Sequence, residues 1–281
     1  MMKLFLTPQQ VEQRVIGLVA HARRRYGIPE GCTGEEACRL LKLRFERGRI
    51  ASGADGMWVD DHIVVNHSLS WTPRIEFTTF HEIMHYLLDD DGDLIEYFTR
   101  TLRNDKDTYE AAIERCCHQG AAEFLMPRAR VREAIAAEGF SAALVERIAR
   151  RYGASAIAAA IQLALSAPIN CFIVLCGDSP MPGARPSPTG LHVEYACAPW
   201  RQKYTLARFT PIPRDHPLHQ AWRTKRRVEG RSYVPFRSGK CQPCDCEAVP
   251  LGGRVVGILA LERPVPREQL AMPFDSADVS W

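Results

Sequence analysis

Residues 77–88 read FTTFHEIMHYLL and hold His81-Glu82-x-x-His85 inside an apolar stretch. On a helix, residues four apart share one face, about 40° offset and roughly 6 Å apart along the axis. Two imidazoles so placed can grip one zinc ion. Glu82, beside the first, is then set to act as general base on a water at that metal. A chance HExxH is expected only about 0.02 times in a chain of this composition. Phe77, Phe80, Ile83, Met84, Tyr86 and Leu87 surround the motif without another charge. A dry metal cavity fits that setting. A plain core helix would have to bury two imidazoles and a carboxylate, at a cost of several kcal/mol, roughly.

A catalytic zinc needs a third protein ligand and one open position. Residues 108–127, TYEAAIERCCHQGAAEFLMP, repeat apolar positions with a helical period at Ala111, Ala112, Cys116, Ala121, Ala122 and Leu125. Glu110, Glu114 and Glu123 each offer a carboxylate there, and periodicity does not choose among them. Cys116 comes near this site, but both it and Cys117 read as buried, inert thiols. A second metal-like spacing is Cys241-x-x-Cys244-x-Cys246, where ordinary strand or loop thiols are the plainer reading. Tyr97 and Tyr109 are candidate oxyanion donors, and a packing role is commoner for each. His62 and His67, beside strand ends, read as surface residues.

HEIMH followed by IERCCHQGAAEFLMP resembles the ImmA/IrrE family of zinc peptidases. That family pairs HExxH with a later helix of the form E-x-x-x-N-x-x-A-A-x-L-L-M-P. Aligned on Met126-Pro127, the resemblance implies Glu114 as the third ligand beside His81 and His85. His118 stands at the family's Asn, Phe124 at its first Leu, and Met84 where Gly or Ser usually precedes the second motif His. His118 lies one turn beyond Glu114, from where it could orient a ligand, join the metal or stabilise the oxyanion. SYVPFRSG at 232–239 and DHP at 215–217 resemble the C-terminal region of the IrrE (PprI) branch of radiation- and desiccation-response proteases. The resemblance implies a cytoplasmic metalloendopeptidase holding zinc, with manganese as the alternative in the cell. It implies as substrate a helix-turn-helix repressor of the XRE type, whose cleavage derepresses DNA-damage-response genes. Two other classes stay open from the residues: a DNA-binding transcriptional regulator, and a metal-holding sensor or adaptor without protease activity.

The elements that must position these residues read as an α+β protein in three parts. Residues 1–127 form a zincin-like metallopeptidase domain, 128–167 a helix-turn-helix-like helical module, and 168–281 a GAF-like sensor domain of unnamed ligand. Thr7 and Pro8 open a helix that Gly27 closes, and 34–42 make a second. Alternation at Leu43, Phe45 and Arg47, and the runs 57–59 and 63–65 around Asp60-Asp61, predict a small antiparallel sheet. Its edge strand could hold extended substrate. Thr72 as cap and Pro73 start the motif helix, which ends near Asp89–Gly92. The polar stretch 89–107 reads as a long loop, a lid or a docking segment.

After Pro127, two helices flank Gly153-Ala154-Ser155 as in a helix-turn-helix. Ala158, Ala159, Ala160 and Gln162 are poor base readers, while Arg147, Arg150 and Arg151 could meet phosphates. Strands are predicted at 169–176, 191–197, 203–209, 232–236 and 254–261, with a helix over 216–223. The run Arg223, Lys225, Arg226, Arg227, Arg231 reads as a solvated face or an acidic-partner patch.

At 281 residues and 46% hydrophobic, the chain can build real cores, and a net charge of +3 neither demands nor excludes nucleic acid. Its apolar runs are too short for a bilayer, and MMKLFLTPQQ lacks the layout of a secretory signal. Ten cysteines are then expected as thiols in a reducing cytoplasm.

Overall fold

The computed structural model describes residues 6–102, 105–181, 183, 186–199 and 205–261. They divide into two compact units. One takes the described residues up to Pro127 together with Arg150–Ser155; the other takes Arg128–Ala149 and the described residues from Ala156 onward.

In the first unit, α1 (Pro8–Tyr26) opens on a reciprocal cap: Gln10 N donates to Thr7 Oγ1 at 3.2 Å, and Thr7 N donates to Gln10 Oε1 at 2.8 Å. Gly27 closes it at φ 66°. The next helix, α2 (Gly34–Leu40), stops short of residue 42 because Lys42, at φ 61°, turns the chain away. Strands β1 (Arg44–Gly48), β2 (Gly56–Val59) and β3 (His62–Asn66) form a sheet ordered β1-β3-β2. The β2–β3 hairpin is antiparallel about Asp60, whose φ of 54° serves the tight turn. The β1–β3 pairing is parallel, so the expected all-antiparallel sheet is corrected to a mixed one. The loop 49–55 carries the chain past β3's place, and the hairpin returns β3 alongside β1, leaving β2 on the edge.

Helices α3 (Thr72–Asp91), α4 (Asp93–Thr101) and α5 (Lys106–Leu125) complete this unit. Trp71, not Thr72, caps α3 and makes no side-chain cap bond; Gly92 ends the helix. The stretch 89–107, expected as a loop, contains α4. Its Leu94 and Phe98, four apart, are buried, and that one apolar stripe outweighs the charged positions around it. The packing of α3 on α5 is close: Phe80 stacks on Phe124 at 5.1 Å, and Ile83, Met84, Leu87, Cys117 and Ala121 are buried in the same core.

The second unit begins with α6 (Arg128–Glu138), α7 (Ala143–Arg151, its last two residues grouping with the first unit) and α8 (Ala156–Leu165). Gln162 is fully buried, as are Ala159 and Ala160, and Arg128 Nε donates to Gln162 Oε1 at 3.1 Å. That face of α8 is core, which removes it from base contact. Strands β4 (Cys171–Gly177), β5 (His192–Cys197), β6 (Val228–Pro235), β7 (Cys241–Leu251) and β8 (Arg254–Ala260) form an antiparallel sheet ordered β5-β4-β8-β7-β6. Helix α9 (Pro217–Thr224), capped by His216, buries Leu218 and Ala221 against it. The strand expected at 203–209 is not formed over its described part, 205–209; Phe209 takes φ 61° and only its N–H reaches Val193 O. β7 was not expected: Pro243, Pro250 and interleaved polar residues hid its alternation. Among the described residues, no helix is long and apolar enough to cross a membrane.

Candidate metal centre

Helix α3 presents His81 and His85 on one face, and α5 brings Glu114 to meet them. His81 Nε2 lies 3.2 Å from Glu114 Oε2, His85 Nε2 lies 3.3 Å from Glu114 Oε1, and the two Nε2 atoms are 3.2 Å apart. Three donors of a tetrahedral zinc with bonds near 2.05 Å stand about 3.3 Å from one another. The two imidazole nitrogens have that spacing, and Glu114, which meets each of them through a different carboxylate oxygen, lies within reach of the same ion. Burial first, then the neighbouring His118 and His85, pushes His81 down to about 3. Burial also lowers His85, with the Glu114 carboxylate opposing. Both rings are thus neutral at pH 7, the form that ligates a metal. His81 Nδ1 is buried without a hydrogen-bond partner. The donor set fits a zinc-like dication.

Glu82 sits beside this cluster at 8% exposure. Burial, then the charge of Glu114, pushes its carboxyl up to about 7, while a backbone hydrogen bond from Trp58 acts the other way. An open cleft of about 730 Å³ connects these groups to solvent. Its walls are the start of β2 and the first turns of α3, with Phe77, Trp58 and Met57 as apolar lining. Arg74 clamps Asp55 at one end, Nε to Oδ2 at 2.6 Å. Gly56, Trp58 and Arg74 escaped the sequence reading, although the alternation of β2 puts Gly56 and Trp58 on one face, the one turned toward α3.

The departures at Met84 and His118 have separate outcomes. Met84 is fully buried and points at α5, where a Cβ added to Gly120 would lie 2.4 Å from its sulfur. The missing side chain at Gly120 makes the room that Met84 fills, so Met84 is absent from the cleft lining. His118 does line the cleft, its ring 4.6 Å from that of His81 and 5.7 Å from that of Phe77. His118 Nδ1 is 2.6 Å from the carbonyl oxygen of Glu114. A carbonyl only accepts, so Nδ1 carries the proton and Nε2 of the neutral ring is a bare acceptor. Only a charged His118 could donate to an oxyanion. It is not among the three residues whose donor atoms all lie within 4.8 Å of one another.

The remaining candidates are elsewhere. Tyr97 Oη accepts from Leu6 N at 3.1 Å, just ahead of α1, and Tyr109 packs beside the core; neither lines the cleft. Glu110 pairs with Lys106, and Glu123 is buried. Cys116 is buried, its thiol pushed up to about 11 by that burial. In the basic run, Arg227 pairs with Glu247 and Glu229, Arg231 with Asp245, and Lys225 lies over the Trp222 ring. Much of that charge is spent within the unit itself.

Two imidazoles and a carboxylate converge here from two helices, with a buried glutamate beside them in an open cleft, a candidate metal centre of the kind a metallopeptidase uses. The family comparison gives the same class: residues 48–164 match the IrrE N-terminal-like domain of the Peptidase M78 family. The radiation response metalloprotease IrrE of Deinococcus deserti is 32% identical over 204 residues, covering 72% of each chain. Its namesake from Deinococcus radiodurans is 31% identical over 211 residues, covering 72% of this chain but 64% of that protein, just under two thirds of its length. The chain belongs to the ImmA/IrrE family. Among solved structures, a Mycobacterium tuberculosis transcriptional regulator aligns with a TM-score of 0.58 over 90% of this chain and 76% of that one. At 12% identity this is a likeness of fold alone.

Proposed function

We propose that this chain is a zinc-dependent, site-specific endopeptidase whose substrate is a helix-turn-helix repressor of the XRE type. Cutting that repressor would derepress DNA-damage-response genes. The observation that carries the catalytic part is the convergence of His81, His85 and Glu114, whose donor atoms all lie within 4.8 Å of one another, beside a buried Glu82. The repressor comes from the family resemblance alone; the DNA-damage setting agrees with the name of the Deinococcus relatives, radiation response metalloproteases.

His81, His85 and Glu114 would hold the ion, zinc or in the cell manganese. When bound, it supplies Lewis acidity toward the scissile carbonyl. Glu82 takes a proton at a carboxylate oxygen from the attacking water as that water's oxygen bonds to the carbonyl carbon. It then returns the proton to the amide nitrogen as the C–N bond breaks, so the carboxylate is regenerated. Phe77 and Trp58 give the cleft wall its apolar surface. The open edge of β2 offers backbone groups to an extended chain. Residues 128–167 are read as a helix-turn-helix-like module and 168–281 as a GAF-like domain, of which 262–281 lie outside the described residues.

The test is a cleavage assay. The protein is mixed with the cognate repressor plus zinc or manganese, with and without chelator, and with Glu82→Gln alongside. One metal-dependent cut, lost by about 10²-fold or more in Glu82→Gln with metal retained, is the expected result. An uncut repressor with one equivalent of metal bound would overturn the proposal in favour of a metal-holding sensor.

A further inference from the structure

Gly56 stands in the middle of the cleft wall, yet nothing in its backbone calls for glycine: it lies in β2 and has no positive φ. A glycine inside a strand weakens it, unless another group must come close to the backbone. That is the case here. A Cβ at residue 56 would lie 2.7 Å from Glu82 Oε1, 2.9 Å from Glu82 Cγ and 2.5 Å from Thr78 Cγ2. Real side chains do not approach so closely, so with any other residue β2 or Glu82 must shift.

The register explains what the close approach accomplishes. Asn66 N donates to Asp55 O at 2.8 Å, so Asp55, and by alternation Met57 and Val59, face β3. Gly56 and Trp58 then turn their backbone groups to the open edge of the sheet, where β2 has no neighbouring strand. The Trp58 N–H is the edge group that acts on Glu82, favouring its carboxylate form. Gly56 and Trp58 therefore act together on one carboxylate: the first leaves room for it, the second favours its charged form.

We propose that Gly56 is a positioning residue for Glu82, its missing side chain letting the edge of β2 close on the carboxylate so that the Trp58 amide orients it. This rests on Glu82 being the general base. A base displaced by about 1 Å costs on the order of 10²-fold in rate, so the effect is large although Gly56 has no side chain to bring to the reacting atoms.

The experiment uses the full chain loaded with zinc, with acetohydroxamate as probe, a small chelating acid whose binding needs a nearby base to take its proton. Gly56→Ala, the double variant Gly56→Ala with Thr78→Ser, and Glu82→Gln are compared with wild type, Thr78→Ser alone serving as reference for the double variant. Thr78→Ser removes the Cγ2 clash and leaves the clash with Glu82. Zinc per chain, the acetohydroxamate Kd and the hydrogen exchange of the Trp58 amide are measured. Expected in both Gly56→Ala chains are one zinc, at least a tenfold weaker Kd, and faster Trp58 exchange, all three also seen in Glu82→Gln. A double variant that binds the probe as tightly as its reference, while Glu82→Gln does not, overturns the positioning role. Loss of zinc, or failure of the double variant to fold, also overturns it by making Gly56 a packing residue. Glu82→Gln binding the probe like wild type would instead remove the base reading itself.

Discussion

His81 and His85 are four apart on α3, Cys244 and Cys246 are two apart on β7, and each pair shares one face of its element. The fates of the two pairs differ. The histidines look into a cleft where Glu114 arrives from another helix, and the three donors gather within 4.8 Å. The cysteines look into the sheet core beside Phe172, Val174 and Leu259. Cys241, an odd three residues from Cys244, faces the other way and is exposed. Burial pushes the Cys244 thiol up to about 12 and Cys246 upward as well, as befits protonated thiols enclosed in a sheet core. Ligand spacing therefore has meaning only against the period of its element and against what that face meets.

The largest expected effect breaks the comparison on its stronger side. His85→Ala should lower zinc affinity by more than the roughly 10–100-fold typical of losing an outer partner of a ligand. Changing Cys241, Cys244 and Cys246 together to serine should leave zinc at one per chain by elemental analysis. A second zinc that disappears with the cysteines would erase the contrast.

The next effect is on packing behind the site. Gly120→Ala drives a Cβ into the Met84 sulfur and should cost about 1–3 kcal/mol in urea denaturation. Adding Met84→Ala should return part of that loss. If Gly120→Ala is neutral, Met84 is not held as tightly as its position implies.

Thiol chemistry sharpens the other side. In the native protein Cys241 should react with iodoacetamide at least about tenfold faster than Cys244 or Cys246, read by peptide mass spectrometry. Comparable rates would mean that β7 opens.

The smallest effect concerns a histidine already fully occupied. His216 Nε2 donates to Tyr233 O at 2.9 Å, and Nδ1 accepts from Leu218 N at 3.2 Å, so the neutral ring serves both bonds. Burial lowers its pKa below 6.5, with Asp215 and the Tyr233 carbonyl opposing. A lowered histidine means that the unfolded state takes up the proton first, so stability falls as pH drops below 6.5. His216→Asn, which can still cap α9, should flatten that slope over the same range. An unchanged slope would assign the pH dependence to other groups.

Much of the local structure was legible. Thr7 with Gln10, Pro8 and Gly27 mark both ends of α1 because caps act on neighbouring residues. The end of α3 at Gly92 was readable for the same reason. Where the chain misled, a minority signal had won: Leu94 and Phe98 among charges in α4, and Cys244, Cys246 and Ala248 alternating between polar residues in β7. At the site, helical spacing alone made His81 and His85 a pair, whereas Glu110, Glu114 and Glu123 were equivalent until family resemblance chose among them.

By itself, then, the sequence determined what short-range physics can carry: helix ends, the pairing of residues four apart, and the apolar setting of HExxH. Tertiary structure brought Glu114, which local spacing could not single out, to the imidazoles, and it alone decided that β1 runs parallel to β3, that Gly120 makes room for Met84, and that β2 comes close to Glu82. Each of these depends on which distant segments touch. Contacts between distant segments are selected by packing the whole core at once, and no local period encodes them.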